Sequence, residues 1–207
     1  MNEADAFVFV LDDDALVCEA IGDLLHSAGL SVRLFGSHED LIQDIWKGDA
    51  ACLILDVNLA GANGLDVQRD LVRANVDVPI IFLSGQADIP ISVRAMKAGA
   101  VEFLTKPFKD QELLDAVRQA LVRSGVLRHQ RQERFALLER FATLTPREQD
   151  VMRLVVSGML NKEAASTLGT QEITVKIQRS RVMRKMDADS FADLVRMAQR
   201  LGIPSDN

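Results

Sequence analysis

Four places in this 207-residue chain carry side chains that could do chemistry together: Asp12-Asp13, Asp56, Ser84 and Lys106. Each stands at the end of a short apolar run, at residues 7–11, 52–55, 80–83 and 101–105. Taken singly, an Asp or a Ser-Gly pair after such a run is a turn former, and a lysine is a solvated charge. Taken together, the residues imply more. Three carboxylates cannot share a cleft in ionised form without a compensating cation. Hard oxygen donors with room for water suit Mg²⁺ better than zinc. Asp56, held between such a metal and the Lys106 ammonium, would be an ionised nucleophile. Both cations and the Ser84 hydroxyl could stabilise the oxygens of a transferring phosphoryl group.

The elements that would position these residues are legible from periodicity. A nearly unbroken apolar run reads as a strand buried on both faces of a parallel sheet, and ligands of such sheets bind beyond the carboxyl ends of the strands. Val32 to Phe35 supplies one more strand. Helical spacing fills the intervals. Asp14 reads as a helix N-cap, and Leu16, Ala20, Leu24 and Leu25 recur up to Gly29, a C-cap. Ser37 caps a helix with Leu41, Ile42 and Ile45. Leu65, Val67, Leu71 and Val72 mark the next, and Ile91, Val93, Ala95 and Met96 another that reaches Gly99. Asp110 is expected to cap a last one with Leu113, Leu114, Val117 and Leu121. Strand and helix alternate five times, which predicts a parallel sheet with right-handed crossovers.

Composition narrows the class. At 48% hydrophobic and 26% charged residues, with no apolar run near the length of a membrane span, the chain reads as an ordinary soluble protein of one or two domains. Residues 1–5 are acidic and lack the basic start of a signal peptide. Cys18 and Cys52 have no CxxC spacing, so a reduced compartment with free thiols is expected. The net charge of −6 is unevenly spread. Residues 1–123 carry 20 Asp and Glu against 10 Lys and Arg, whereas residues 124–207 carry 10 against 14. An acidic module joined to a basic one predicts different partners for each, with nucleic acid suited to the second.

Residues 124–142 lack Pro, and their Leu127, Leu138 and Phe141 alternate with Arg128, Arg131, Arg134 and Arg140. A helix extended from the first module is expected, carrying a dimer seam or docking the second, with Ser124-Gly125 as its point of interruption. Thr145-Pro146-Arg147-Glu148 then has the form of a capping box. Val151, Met152, Leu154 and Val155 form its buried stripe, and Gly158 ends it. A helix with Ala164, Ala165 and Leu168 reaches Gly169. The next, starting near Glu172, turns Val175, Val182 and Met186 to the core and Lys176, Arg179, Arg181, Arg184 and Lys185 outward. A final helix holds Phe191, Leu194, Val195, Met197 and Leu201. Two helices joined by a tight turn, the second basic on its open face, describe a helix-turn-helix; a helical interaction domain with a solvated basic face has the same charge pattern.

The residues of the first module resemble a two-component response-regulator receiver domain. DDD at 12–14, LILD at 53–56, LSG at 83–85 and TKPF at 105–108 match that family in order and spacing. The resemblance implies an α/β fold, a doubly wound five-stranded parallel sheet of order 2-1-3-4-5. It implies Asp56 as phosphoacceptor, with Mg²⁺ held by Asp12, Asp13, Asp56 and the Asn58 backbone carbonyl. Ser84 would be the switch hydroxyl, Lys106 the partner of the phosphoryl group, and Phe103 the switch aromatic. It also implies a cis Lys106-Pro107 bond and places Asn58 and Gln86 beside the line of water attack, where they would set the phosphoryl lifetime. Ala60 stands where receivers usually carry proline, which predicts a looser loop, and Phe103 lacks a phenol.

The second module, through LTPRE, NKEAA, LGTQEITVK and RVMRKM, resembles the LuxR/FixJ-type DNA-binding domain over residues 143–201. The resemblance implies an all-α helix-turn-helix domain. Lys176, Ile177 and Ser180 would face bases in the major groove, with Lys162, Thr174, Arg179 and Arg181 placed for phosphates. Gln178 departs from the family's usual histidine. The whole order resembles the FixJ branch of response regulators: receiver 1–123, helical linker 124–142, DNA-binding domain 143–207. This implies a cytoplasmic transcription regulator, not an enzyme and not membrane-bound. Its implied partners are a sensor histidine kinase, promoter DNA, RNA polymerase and a second copy of itself when phosphorylated. Two other readings are a constitutive DNA-binding regulator with a vestigial receiver, and a Mg²⁺-dependent phosphatase that uses Asp12 as nucleophile and leaves residues 143–201 unexplained.

Overall fold

Apolar residues that recur without interruption give strands, and those that recur every three or four residues give helices. The computed structural model, which describes residues 7–47, 50–86 and 89–204, follows that alternation. The acidic opening at residues 1–5 lies outside the described residues. The elements run β1 (Phe7–Leu11), α1 (Ala15–Ser27), β2 (Ser31–Phe35), α2 (His38–Ile45), β3 (Ala50–Asp56), β4 (Asn58–Leu59), β5 (Ala62–Asn63), α3 (Gly64–Arg73), β6 (Ile80–Ser84), α4 (Ile89–Lys97), β7 (Glu102–Thr105) and α5 (Asp110–Ala142). After them come α6 (Pro146–Val156), α7 (Asn161–Thr167), α8 (Glu172–Met186) and α9 (Phe191–Arg200). The chain divides into two units, Met1–Arg128 and His129–Asn207.

In the first unit the main sheet is wholly parallel, in the order β2-β1-β3-β6-β7. Counting its strands alone, that is 2-1-3-4-5, as the family resemblance implies. Side chains alternate across it. Phe9, Leu11, Leu53, Leu55 and Phe82 pack on one face with Leu41, Val67 and Leu71. Val8, Val10, Cys52, Ile54, Ile81 and Leu83 pack on the other with Ile21, Leu25, Leu113 and Val117. Because both faces are covered, the strand ends are the places where polar side chains can gather.

Several expectations about elements change. The buried stripe of α1 is Cys18, Ile21, Gly22 and Leu25, while Leu16 is 76% exposed. Leu25 is buried and Leu24 partly so, as their spacing predicts, and Gly22 lies close to β2, where a Cβ would stand 3.3 Å from the Leu34 side chain. Asp110 is the first residue of α5 and not its cap: the carbonyl of Lys109 accepts from the Glu112 and Leu113 amides, and the Glu112 carboxylate accepts from the Lys109 amide. Ser124-Gly125 does not interrupt α5, which runs for 33 residues through them with Ser124 buried. A glycine costs a helix interior about 1 kcal/mol, too little by itself to break a helix of this length. The antiparallel pair β4–β5 is an element that two-residue strands leave no pattern to announce.

In the second unit the capping box forms as its sequence predicts. The Thr145 amide donates to Glu148 Oε2 at 2.8 Å and the Glu148 amide to Thr145 Oγ1 at 3.3 Å. Val151, Met152, Val155, Ala164, Leu194 and Ala198 build a core into which α8 sends Val175, Val182 and Met186, all fully buried.

Candidate functional site: an acidic pocket at the strand ends and the open face of a helix

The carboxyl ends of β1, β3, β6 and β7 bring Asp12, Asp56, Ser84 and Lys106 to one edge of the sheet. Asp56, the last residue of β3, is 5% exposed, and Asp12, the residue after β1, is 2% exposed. The Lys106 ammonium lies between them, donating to Asp12 Oδ2 and Asp56 Oδ1 at 2.6 Å each. Its backbone is anchored by its own amide, which donates to the Ser84 carbonyl at 2.7 Å, and the Lys106-Pro107 bond is cis, as the resemblance implies. Burial by itself would push the Lys106 ammonium down, but the hydrogen bonds to Asp12 and Asp56 outweigh burial and hold it above its ordinary 10.5. The second oxygens are also engaged: Asp56 Oδ2 accepts from the Asn58 amide at 2.6 Å and Asp12 Oδ1 from the Asp14 amide at 3.1 Å. Asp14 caps α1, accepting from the Leu16 and Val17 amides.

Asp13 is exposed and turned aside, its Oδ2 accepting from the Ala60 amide at 2.9 Å. Among the described residues no group of three or more His, Cys, Asp or Glu is arranged to hold a metal. The three acids therefore do not form a ready-made ligand cage, and Lys106 stands between the two buried ones. Their chemistry still fits a hard dication. One ammonium offsets one of the three carboxylates, and carboxylate oxygens are hard donors of the kind Mg²⁺ takes. The looser loop expected at Ala60 is not what forms. The β4–β5 hairpin pairs Asn58 with Asn63 and Leu59 with Ala62, and the Ala60 amide reaches Asp13 through a donor that proline lacks.

Ser84 is buried, and its hydroxyl is occupied locally, donating to the Gln86 carbonyl at 2.8 Å and accepting from the Gln86 amide at 3.2 Å. Phe103, on β7, is half-buried with its ring centroid 6.3 Å from that of Phe82. Asn58 and Gln86 are both exposed at the rim. Pattern reading missed Gly64, the first residue of α3. A Cβ there would stand 2.4 Å from the Asp56 carbonyl oxygen, so glycine lets α3 begin against the end of β3. Cys18 and Cys52 are free and buried; burial raises the ordinary value of both thiols.

In the second unit, Lys176, Ile177, Ser180 and Arg181 lie on the open face of α8, Lys162 is exposed on α7, and Thr174 and Arg179 are half-buried. Ile173, one turn before Ile177, is also exposed, at 57% against 48%. Its spacing of four from Ile177 was the available signal. Lys185 does not belong to the open face. Its ammonium donates to Glu148 Oε2 at 2.6 Å and to the Thr143 carbonyl at 3.0 Å. The Lys185 hydrogen bond, helped by the Thr145 amide, holds the Glu148 carboxyl below its ordinary 4.5.

With this geometry in view, comparison with known proteins is direct. Residues 8–118 match the family described as response regulator receiver domain, and residues 142–198 match that described as bacterial regulatory proteins, luxR family. Nodulation protein W of Bradyrhizobium diazoefficiens is 50% identical over 202 residues, covering 98% of this chain and 89% of that protein. The transcriptional regulatory protein FixJ of Azorhizobium caulinodans is 38% identical, covering 97% and 95%. Among solved structures, the response regulator StyR superposes with a TM-score of 0.78 at 40% identity, covering 95% of this chain and 99% of StyR. Full-length FixJ from B. japonicum superposes with a TM-score of 0.58 at 32% identity, covering 97% and 98%.

Proposed function

The chain belongs to the response regulators that join a receiver domain to a luxR-family DNA-binding domain, phosphorylation-dependent transcription regulators rather than enzymes, and from this we propose that Asp56 is its phosphoacceptor and α8 its reading helix. The observation that carries the first part is the Lys106 ammonium bridging Asp12 and Asp56 in a nearly buried pocket. A receiver implies a sensor kinase as donor. An Asp56 carboxylate oxygen attacks the phosphorus of a phosphohistidine, the P–N bond breaks, and the imidazole nitrogen leaves with its electron pair. Lys106 orients Asp56 through their hydrogen bond and offsets charge on the phosphoryl oxygens. Asp12, Asp13, Asp56 and the Asn58 carbonyl would hold Mg²⁺, which when bound supplies further neutralisation of that charge. Ser84 gives up its bonds to Gln86 to take a phosphoryl oxygen, and Phe103 moves into the space this opens.

The division of labour follows the stretches 1–123, 124–142 and 143–207. Lys176, Ile177 and Ser180 face bases, and Lys162, Thr174, Arg179 and Arg181 face phosphates; phosphate contacts position the protein and base contacts specify the sequence. The regulator works in the cytoplasm, as a homodimer when phosphorylated, and acts on RNA polymerase at the promoter. Incubation with an acyl phosphate and Mg²⁺, followed by intact-protein mass measurement, tests the central step. The parent chain should gain one phosphoryl group and Asp56→Asn should gain none. Uptake by Asp56→Asn at the parent's rate would move the acceptor elsewhere.

A further inference from the structure

Of the cations on α8, Arg179 has an environment unlike the rest. Lys185 has spent its charge on a buried glutamate. Arg179 is half-buried with no carboxylate partner among the described residues. Its guanidinium carbon lies 4.4 Å from the centroid of the Phe191 ring, and its Nη1 donates to the Asn161 side-chain oxygen at 3.4 Å. Both neighbours are neutral. They fix the direction of the guanidinium and leave its full charge for an anion.

Phe191 has a capped backbone and is itself 36% exposed. It is the first residue of α9, after Ser190, whose hydroxyl accepts from the Asp193 amide at 3.2 Å. The Asp193 carboxylate pairs with Arg196 and accepts from the Asp189 amide. Three helices thus converge on one cation: α8 provides it, α7 aims it through Asn161, and α9 supplies the aromatic face. An arginine left free on a surface loses side-chain freedom when it meets a phosphate; one already stacked loses less, so binding is tighter for the same contact.

We propose that Phe191, on a helix outside the helix-turn-helix, is a positioning residue of the DNA interface that holds Arg179 ready for a backbone phosphate. This rests on the reading of Arg179 as a phosphate contact. Because such a contact carries no sequence information, its loss weakens every duplex alike, and a duplex of random sequence is a sufficient probe.

The test measures affinity of the full chain for that duplex as a function of salt, together with a double-mutant cycle. Arg179→Ala should weaken binding and lower the log–log salt slope by about 0.9, the amount for one phosphate contact. Phe191→Leu, which keeps apolar bulk and removes the π face, should weaken binding about three- to tenfold. Phe191→Trp should restore it, and Phe191→Leu should cost nothing further once Arg179 is alanine. A loss from Phe191→Leu that persists undiminished in the Arg179→Ala background overturns the proposal, since it would then be a packing effect of α9. Phe191→Met, with its thermal midpoint measured beside the parent's, gives the same reading if the leucine variant folds poorly. An unchanged slope in Arg179→Ala sinks the phosphate-contact reading itself. A lowered slope there with parent-like binding by Phe191→Leu sinks only the role of Phe191.

Discussion

At the scale of single residues, two small ones near Asp56 do what larger ones could not. Gly64 starts α3 where a Cβ would meet the Asp56 carbonyl oxygen at 2.4 Å and the Phe82 ring at 3.2 Å. Gly64→Ala must therefore move backbone next to the acceptor. We expect a loss of about 1–3 kcal/mol of stability in denaturant unfolding, together with slower phosphoryl uptake; unchanged values of both would mean the strand yields freely. Ala60 lends Asp13 an amide hydrogen that proline lacks. Ala60→Pro should release Asp13 and tighten Mg²⁺ binding measured by calorimetry, and weaker binding would show that the Ala60 bond orients Asp13 for the metal. Asp12, Asp56 and Ser84 were legible because each ends a buried apolar run, and Lys106 because it follows the half-buried edge strand β7; parallel strands deliver such ends to one edge. The Ala60 bond was not, because a backbone donor has no sequence signature and its partner lies 47 residues away.

At the scale of elements, the sequence shows that a face is apolar more readily than which of two faces is buried. The spacing of Leu16, Ala20, Leu24 and Leu25 marks α1 as a helix, yet of these Leu25 is fully buried and Leu16 is 76% exposed. Helix ends were clearer, because their chemistry is local: Thr145 and Glu148 sit three residues apart and cap α6 as their types require. Lys185 was misplaced because its partner Glu148 lies on another helix. That pair predicts a pH dependence. The Glu148 carboxyl is held lower in the folded chain than the ordinary 4.5, so its contribution is complete above that value and is lost as pH falls through the folded one. Lys185→Met should cost about 1–3 kcal/mol at neutral pH, the penalty of leaving a buried acceptor short of its donor. It should also flatten the acid limb of the stability curve below about 4.5; a parallel curve would mean the Thr145 amide alone holds Glu148. On α5, Gly125 is helical and a Cβ there would touch nothing within 4 Å. Gly125→Ala should raise stability by about 0.5–1 kcal/mol in thermal unfolding.

At the scale of the whole molecule, an acidic unit and a basic one share a chain, and only a change in the first can make the second conditional. Phosphorylation of Asp56 replaces its single negative charge by roughly 1.5 to 2 in a stretch, residues 1–123, whose formal charge is already −10. Bulk repulsion does not make a switch of this; it needs a surface that differs between two states. The α4 helix offers one. Ile89, Val93 and Met96 are 74%, 44% and 43% exposed there, and α4 follows β6, whose last residue Ser84 would, in the proposed mechanism, exchange Gln86 for a phosphoryl oxygen. If that exchange reshapes α4, two phosphorylated copies can bury these side chains against each other. Two linked DNA-binding domains then gain affinity through effective concentration without any new DNA contact. Val93→Lys should leave phosphoryl uptake at Asp56 intact, abolish phosphorylation-dependent dimers in sedimentation, and remove the gain in affinity for a two-site duplex while leaving single-site binding unchanged. Dimers that persist in Val93→Lys would assign self-association to another surface, for which the exposed Phe135 and Leu138 of α5 are the next to substitute.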